Sequence, residues 1–180
     1  IPSAATFYDL VPLHHPETHL AEPGMKEWYS HKLQSLKRAG LLLAISEYSR
    51  TEALEHLELA PERVVNIGAA VDKSFRKLDL PSEQVRELKF RLGIRRPFVQ
   101  CTGNLDPHKN IEGLINAFAR LPYTLRSNYQ LVIVTQIDDL HRQRLFKHAL
   151  SAGLSEQDLV LTGYVSDEDL VALYNLCSLL

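Results

Sequence analysis

From residue 83 onward, strand-length apolar runs alternate with helix-length amphipathic runs, and this rhythm narrows the fold more than any other feature of the sequence. A helical pattern carrying Val85, Leu88 and Leu92, stopped by Gly93, leads into a strand over residues 97–102. A helix with Ile111, Leu114, Ile115 and Phe118 follows, then a strand over 130–135 built on the run Leu131-Val-Ile-Val134. A helix over 138–152, a strand over 159–162 and a helix with Leu170, Leu173, Tyr174 and Cys177 complete the series. Strands that are apolar at consecutive positions, rather than alternate ones, are buried on both faces. Interleaved with helices, they make a parallel sheet covered on both sides, of α/β class, which receives ligands at the carboxyl ends of its strands.

The first third carries the same alternation less regularly. Residues 4–13 start extended and reach Asp9-Leu-Val-Pro12, after which Pro12 and Pro16 are expected to keep the chain out of helix. A polar loop precedes a long amphipathic helix marked by Met25, Trp28, Tyr29, Leu33 and Leu36, entered through Pro23-Gly24 and closing near Arg38. Residues 41–45 read as a buried strand. Ser46 stands at its turn into a second helix with Leu54 and Leu57 on one face, where a hydroxyl can accept an orphan amide. Residues 64–67 are the next strand, and the aperiodic, charge-mixed stretch that ends at Pro81-Ser82 reads as a linker. The expected division is a domain over 1–67, a linker over 68–82 and a second domain over 83–180.

With 180 residues, 45% of them hydrophobic, and a net charge of -2, the chain can bury a substantial core. No run approaches the roughly 18 to 20 apolar residues of a membrane span, so any membrane association is expected to be peripheral. Cys101 and Cys177 fall in a strand and on an apolar helix face and read as reduced thiols. No basic segment followed by an apolar core opens the chain, and Ile1-Pro2 reads as the interior of something longer, so the cytoplasm is the expected compartment. Scattered Lys and Arg at near-neutral balance argue against a nucleic-acid surface.

Three strand ends could carry chemistry. In Thr102-Gly-Asn-Leu-Asp-Pro-His-Lys-Asn110, Gly103 admits close backbone approach, Asn110 can cap the following helix, and free amides with the Lys109 ammonium offer a seat for a phosphate or diphosphate. A plain turn with a solvated lysine fits the same residues. In Thr162-Gly-Tyr-Val-Ser166, the Ser166 and Asp169 pair forms a capping box, and the acidic first turn would repel phosphate. That leaves Tyr164 and Val165 to meet a nucleobase, or simply to pack. Asp9 could orient a sugar hydroxyl or take a proton, or only form a turn. His14, His15 and His108 lack a second ligand at metal spacing and read as solvated loop residues; Arg91, Arg95 and Arg96 read as a solvated helix end. No Walker loop, GxGxxG or nucleophile elbow occurs, which removes support for ATP hydrolysis and dinucleotide redox chemistry.

Four stretches together resemble the family 4 (group 1) glycosyltransferases. Leu42-Leu-Ala-Ile-Ser-Glu-Tyr-Ser-Arg-Thr-Glu52 resembles their "iavSe.sr.el" segment, and Pro61-Glu-Arg-Val-Val-Asn-Ile67 with Ala70-Val-Asp72 their "p.ri.vi.nGvd" crossing strand. The Thr102–Asn110 turn is similar to "G.ldp.Kn", and Leu159-Val-Leu-Thr-Gly-Tyr-Val-Ser-Asp-Glu-Asp-Leu170 with Leu173-Tyr174 to "v.flGyvsdedl..ly". The resemblance implies a GT-B architecture, with 1–67 ending an acceptor domain and 83–180 forming an incomplete Rossmann-like donor domain. It implies that Lys109 contacts the donor diphosphate, with Gly103, Asn104 and Asn110 beside it, that the Tyr164-Val165 backbone lies along the base, and that Asp9 acts at the sugar. Asn104 replaces an arginine that many relatives pair with the lysine, Tyr8 replaces a histidine, and Ala69-Ala70 replaces Asn-Gly. The family's Glu-x7-Glu segment would follow a strand beginning near Leu179, so the piece is expected to bind nucleotide without efficient transfer.

Tyr-Asp-Leu together with Asn-Leu-Asp-Pro resembles bacterial mannosyltransferases of surface polysaccharide assembly. This implies retaining transfer of mannose from GDP-mannose to a glycan or lipid-linked acceptor, with no cofactor beyond the GDP- or UDP-linked donor, no metal, and peripheral placement at the inner membrane. A sugar-nucleotide epimerase of the same architecture and a non-enzymatic nucleotide- or partner-binding domain are the competing expectations.

Overall fold

The computed structural model describes residues 3–180; Ile1-Pro2 lies outside them. The chain divides into a first compact unit ending at Asp72 and a second, Lys73–Leu180.

The first unit holds β1 (Ala4–Phe7), α1 (Val11–His14), α2 (Pro16–His19), α3 (Pro23–Arg38), β2 (Leu41–Ala44), α4 (Glu47–Leu57) and β3 (Val64–Asn66). Its three strands form a parallel sheet in the order β1-β2-β3. Phe7, Leu42, Ala44 and Val64 from the strands, with Leu10, Ala53 and Leu57, make its core, and each fully buried large side chain stabilises by roughly 1.5–3 kcal/mol. The expectation that Pro12 and Pro16 exclude helix is not met. Each proline sits in the first turn of a four-residue helix, where a missing amide costs nothing because that amide would have no partner. Ser46 caps α4 as expected, its hydroxyl accepting from Ser49 N at 3.0 Å.

The second unit runs α5 (Ser82–Leu92), β4 (Phe98–Thr102), α6 (Ile111–Ala119), α7 (Tyr123–Arg126), β5 (Gln130–Val134), α8 (Asp139–Ser151), β6 (Leu159–Leu161) and α9 (Asp167–Leu176). Gly93 ends α5 at φ 73°, a conformation that side chains with a Cβ disfavour. The strands pair in parallel in the order β4-β5-β6. One face carries Ile111, Ile115, Phe118 and Leu145 against Leu131 and Ile133; the other packs Leu88, Ala172 and Leu173 against Phe98, Val132 and Val134. This is the two-sided burial that the continuous apolar strands require. Cys101 and Cys177 are free and half-buried and pack into different faces of this sheet.

The segment read as a linker over 68–82 belongs in its later part to the second unit. The Asn175 side chain accepts from Leu78 N at 2.9 Å and donates to Arg76 O at 3.0 Å, the Phe75 ring meets the edge of Tyr174, and Leu80 joins the core.

Two residues at the amino end of the second sheet have a role no periodicity shows. Arg96, expected to be solvated, is held between Ser127 O at 2.8 Å, Gln157 O at 2.6 Å and the Asp158 carboxylate at 2.8 Å. Gln130 is fully buried; its carbonyl accepts both Arg95 N and Arg96 N, at 2.7 and 2.9 Å, and its amide donates to Gln157 O at 2.8 Å. Burial alone would raise the Asp158 carboxyl, but hydrogen bonds from Arg96 and Ser155 more than reverse this and hold it below the ordinary range.

Candidate functional site

The chain after α9 returns to the sheet on the far side of β4. Gln100 N donates to Leu179 O and Ser178 N to Phe98 O, both at 2.8 Å, and Val99 bridges Leu179 in parallel. On the opposite edge, Gln130 N donates to Pro97 O and Gly103 N to Val134 O. The strands therefore run outward from β4 through β5 to β6, and the chain then crosses back to the other side of β4. That reversal is a topological switch point, the place where open parallel sheets bind ligands, at the carboxyl ends of the strands. The turn after β4 sits there.

This turn brings Gly103, Asn104, Lys109 and Asn110 together. Among the described residues beyond its chain neighbours, nothing lies within 4 Å of where a Gly103 side chain would project, so that side of its backbone faces open space. Its amide is already spent on Val134 O; the glycine contributes room rather than a donor. Asn104 is engaged within the turn: its amide donates to Asp106 Oδ2 at 2.5 Å and its carbonyl accepts Asp106 N at 3.4 Å. It shapes the loop and also places a carboxylate nearby. Pro107–Lys109 form one 3-10 turn that delivers Lys109 exposed at its end. The Lys109 charge is felt back at the Cys101 thiol on β4: burial pushes that thiol up and the Lys109 ammonium opposes the push. The cation thus lies near the carboxyl end of β4.

Asn110 opens α6 from a left-handed conformation, φ 49°, with its carbonyl accepting Gly113 N at 3.2 Å. Its side chain is committed to capping, so its contribution to a ligand is through the helix start that it fixes. Replacing Asn110 by Ala is expected to cost about 1 kcal/mol for the lost cap, with left-handed strain added; Asn110→Gly, at ease at positive φ, is expected to cost only a few tenths. Thermal unfolding of the two variants checks this ordering.

Tyr164 and Val165 stand at the carboxyl end of β6, on the same rim of the same sheet. With β5 between, β4 and β6 lie two strand spacings apart, about 10 Å. Tyr164 is 80% exposed, whereas Val165 packs into the core, so the ring rather than the valine side chain is free for a ligand. Ser166 caps α9 through Asp169 N at 3.1 Å, as expected. Arg91 donates to the Asp169 carboxylate at 2.8 Å and holds it below its usual range, partly neutralising an otherwise acidic first turn. One residue missed by sequence is Arg142 on α8, whose guanidinium donates to Leu161 O at 2.7 Å beside Gly163. A lone arginine on a helix face gave no signal of this.

Asp9 lies in the first unit, after β1, exposed, with its Oδ1 accepting Val11 N at 3.2 Å. His14, read as a loop histidine, ends α1 and pairs with the buried Glu52 carboxylate at 2.6 Å. Among the described residues no group of three or more metal-ligating side chains gathers, and no helix is long and apolar enough to cross a membrane.

Residues 84–180, more than half of the chain, match the family described as "Glycosyl transferases group 1". The chain is 37% identical over 172 residues to the serotype-specific mannosyltransferase WbdA of Escherichia coli, covering 96% of itself and 21% of that protein. It is 30% identical over 178 residues to the O-antigen chain mannosyltransferase B of Escherichia coli, covering 44% of that relative. The chain thus spans less than half the length of these curated relatives. Among solved structures it resembles Anabaena Alr3699/HepE in complex with UDP and glucose, with TM-score 0.71 and 21% identity over 98% of this chain and 44% of that one. It also resembles a glycosyltransferase from Rickettsia africae ESF-5, with TM-score 0.65 and 16% identity over 97% of this chain and 43% of that one. The α/β fold is that of GT-B glycosyltransferases, and the chain belongs to the group 1 glycosyl transferases.

Proposed function

We propose that this chain carries the donor-nucleotide site of a retaining mannosyltransferase that moves mannose from GDP-mannose to a growing glycan or lipid-linked saccharide. The observation that carries the reading is the Lys109 ammonium presented at the β4 switch point, next to a backbone with open space in front of it. The names of the relatives, both mannosyltransferases, support the sugar; Alr3699/HepE, with UDP and glucose bound, supports a nucleotide as donor.

In this reading the diphosphate rests against the Gly103 backbone and the start of α6. Lys109 offsets the charge that grows on the diphosphate as the sugar departs, a preorganised electrostatic role that lowers the barrier without a metal. Tyr164 lays its ring against the base, and Asp9 orients a sugar hydroxyl. The donor's own phosphate takes the acceptor proton. The protein works in the cytoplasm, peripheral to the membrane where a lipid-linked acceptor would reside.

Tyr164→Ala is expected to weaken nucleotide binding by about 1–3 kcal/mol, the range of base stacking on an aromatic ring, while leaving the melting temperature unchanged because the ring is exposed. Isothermal titration calorimetry and differential scanning calorimetry read the two effects. For the activity itself, the intact protein is incubated with GDP-mannose or UDP-glucose and a saccharide acceptor. Transfer of mannose with its anomeric configuration kept supports the reading; epimerised sugar without acceptor, or transfer from UDP-glucose alone, overturns it.

A further inference from the structure

We infer that Ser49, Glu52 and His14 are positioning residues for the Asp9 carboxylate; the inference rests on the proposal that Asp9 acts at the sugar. α4 grips the Tyr8 to His14 segment at two points, one on each side of Asp9. At the near point the Ser49 hydroxyl, 4% exposed, donates to Tyr8 O at 2.5 Å and is itself held by Ser46 Oγ at 3.0 Å. At the far point, one helical turn along, the Glu52 carboxylate binds His14 Nε2 at 2.6 Å. Between the two grips, Leu10 is fully buried and Val11 N donates to Asp9 Oδ1.

The two grips are unlike ordinary packing in what they involve. Glu52 is 5% exposed, and its second oxygen is buried without a hydrogen-bond partner among the described residues. A carboxylate so placed is costly, and an apolar side chain would fill the same position on α4 more cheaply. Its partner is the last residue of α1, whose ring is also in T-shaped contact with that of His56 from the last turn of α4 at 5.3 Å. The fold thus carries a buried charge whose interaction is directed at the short segment presenting Asp9. The Asp9 and Glu52 carboxylates also both act on Tyr29, whose hydroxyl is pushed up to about 12, first by burial and then by those two charges; it stays protonated beside them. A carboxylate tied at both flanks keeps one orientation, and misplacement on the order of 1 Å costs up to about 100-fold in rate.

The test measures mannosyl transfer by the intact protein for Glu52→Gln, His14→Gln and Asp9→Asn, with the two double variants. Expected are falls in kcat of about 10- to 100-fold for Glu52→Gln and His14→Gln at unchanged KM for the donor, and no further fall when either is added to Asp9→Asn. His14, 39% exposed, is the less buried of the pair, so His14→Gln, with its fold checked by circular dichroism, reads the grip where a change at buried Glu52 unfolds the chain. An unchanged kcat in His14→Gln, or an equal fall with and without Asp9, overturns the inference. Normal transfer by Asp9→Asn overturns the Asp9 reading and the inference with it. Absence of transfer by the unmodified protein fails the proposed function alone, and amide exchange at Val11 then decides: faster exchange in His14→Gln supports the grip, and unchanged exchange overturns it.

Discussion

Replacing Lys109 by Ala is expected to raise the dissociation constant for GDP or UDP by roughly 10- to 150-fold, corresponding to about 1.5–3 kcal/mol for hydrogen bonds to a charged partner. The side chain is exposed, so thermal stability is expected to stay within the ±0.5 kcal/mol or so of ordinary surface changes. The loss would then belong to binding alone. A second readout comes from Cys101. Burial raises that thiol and Lys109 partly lowers it; removing the ammonium leaves burial unopposed, so the thiol moves further up. The thiolate fraction at neutral pH falls, and alkylation of Cys101 is expected to slow. Calorimetric titration and timed alkylation followed by mass spectrometry check the two effects, and the second holds whether or not the ligand is correctly named.

Gln130→Leu is expected to destabilise the second unit by about 2–6 kcal/mol, near the upper end of what single substitutions do. The volume is nearly conserved, so the cost comes from the hydrogen bonds. Arg95 N and Arg96 N lose their shared acceptor, while Gln157 O keeps its bond from the Arg96 guanidinium, and each of the two polar groups left unpaired costs about 1–3 kcal/mol. The damage also spreads: the Arg95-Arg96 backbone positions the guanidinium that ties Ser127, Gln157 and Asp158 together. Chemical denaturation measures the loss, with Leu140→Ala, at a 75% exposed position, as a comparison that should change little.

The fold was legible where local chemistry and packing agree. Continuous apolar runs such as Leu131 to Val134 could satisfy their burial only in a sheet covered on both faces, and β5 is buried along its whole length. Gly93 and Ser46 marked helix ends because each does what few other residues can do there. Pro12 and Pro16 misled because the same ring that breaks a helix interior is at home in a first turn, and position within a helix is not visible from the residue type. Arg96 misled, and the role of Gln130 went unseen, for a different reason. Their partners are 27 or more residues away along the chain, and hydrophobic periodicity carries no information about which polar side chains the fold will bury.

The site shows the same division. Gly103 and Lys109 could be picked out as candidates because what each offers is its own property, the absence of a side chain and a charge at the end of a turn. Asn110 was legible as the cap that it forms with Gly113 N, whereas the commitment of Asn104 to Asp106 became visible only once the loop had a shape. The switch point itself depends on Leu179 pairing with β4 on the edge away from β5. Strand order is a long-range property, and no spacing along the chain fixes it. The pairing of His14 with Glu52, across 38 residues, was hidden in the same way.

The central claim is that the nucleotide of the sugar donor binds at the carboxyl rim of the second sheet. Chemical-shift mapping of the isotopically labelled chain during titration with GDP tests it most directly, because it locates the ligand without presuming which side chain matters. Saturable shifts confined to the turn from Gly103 to Gly113 and to Gly163, Tyr164 and Val165, with the Arg96 to Gln130 end of the sheet silent, are the expected result. Shifts centred on that opposite end, or none at saturating nucleotide, would contradict the account.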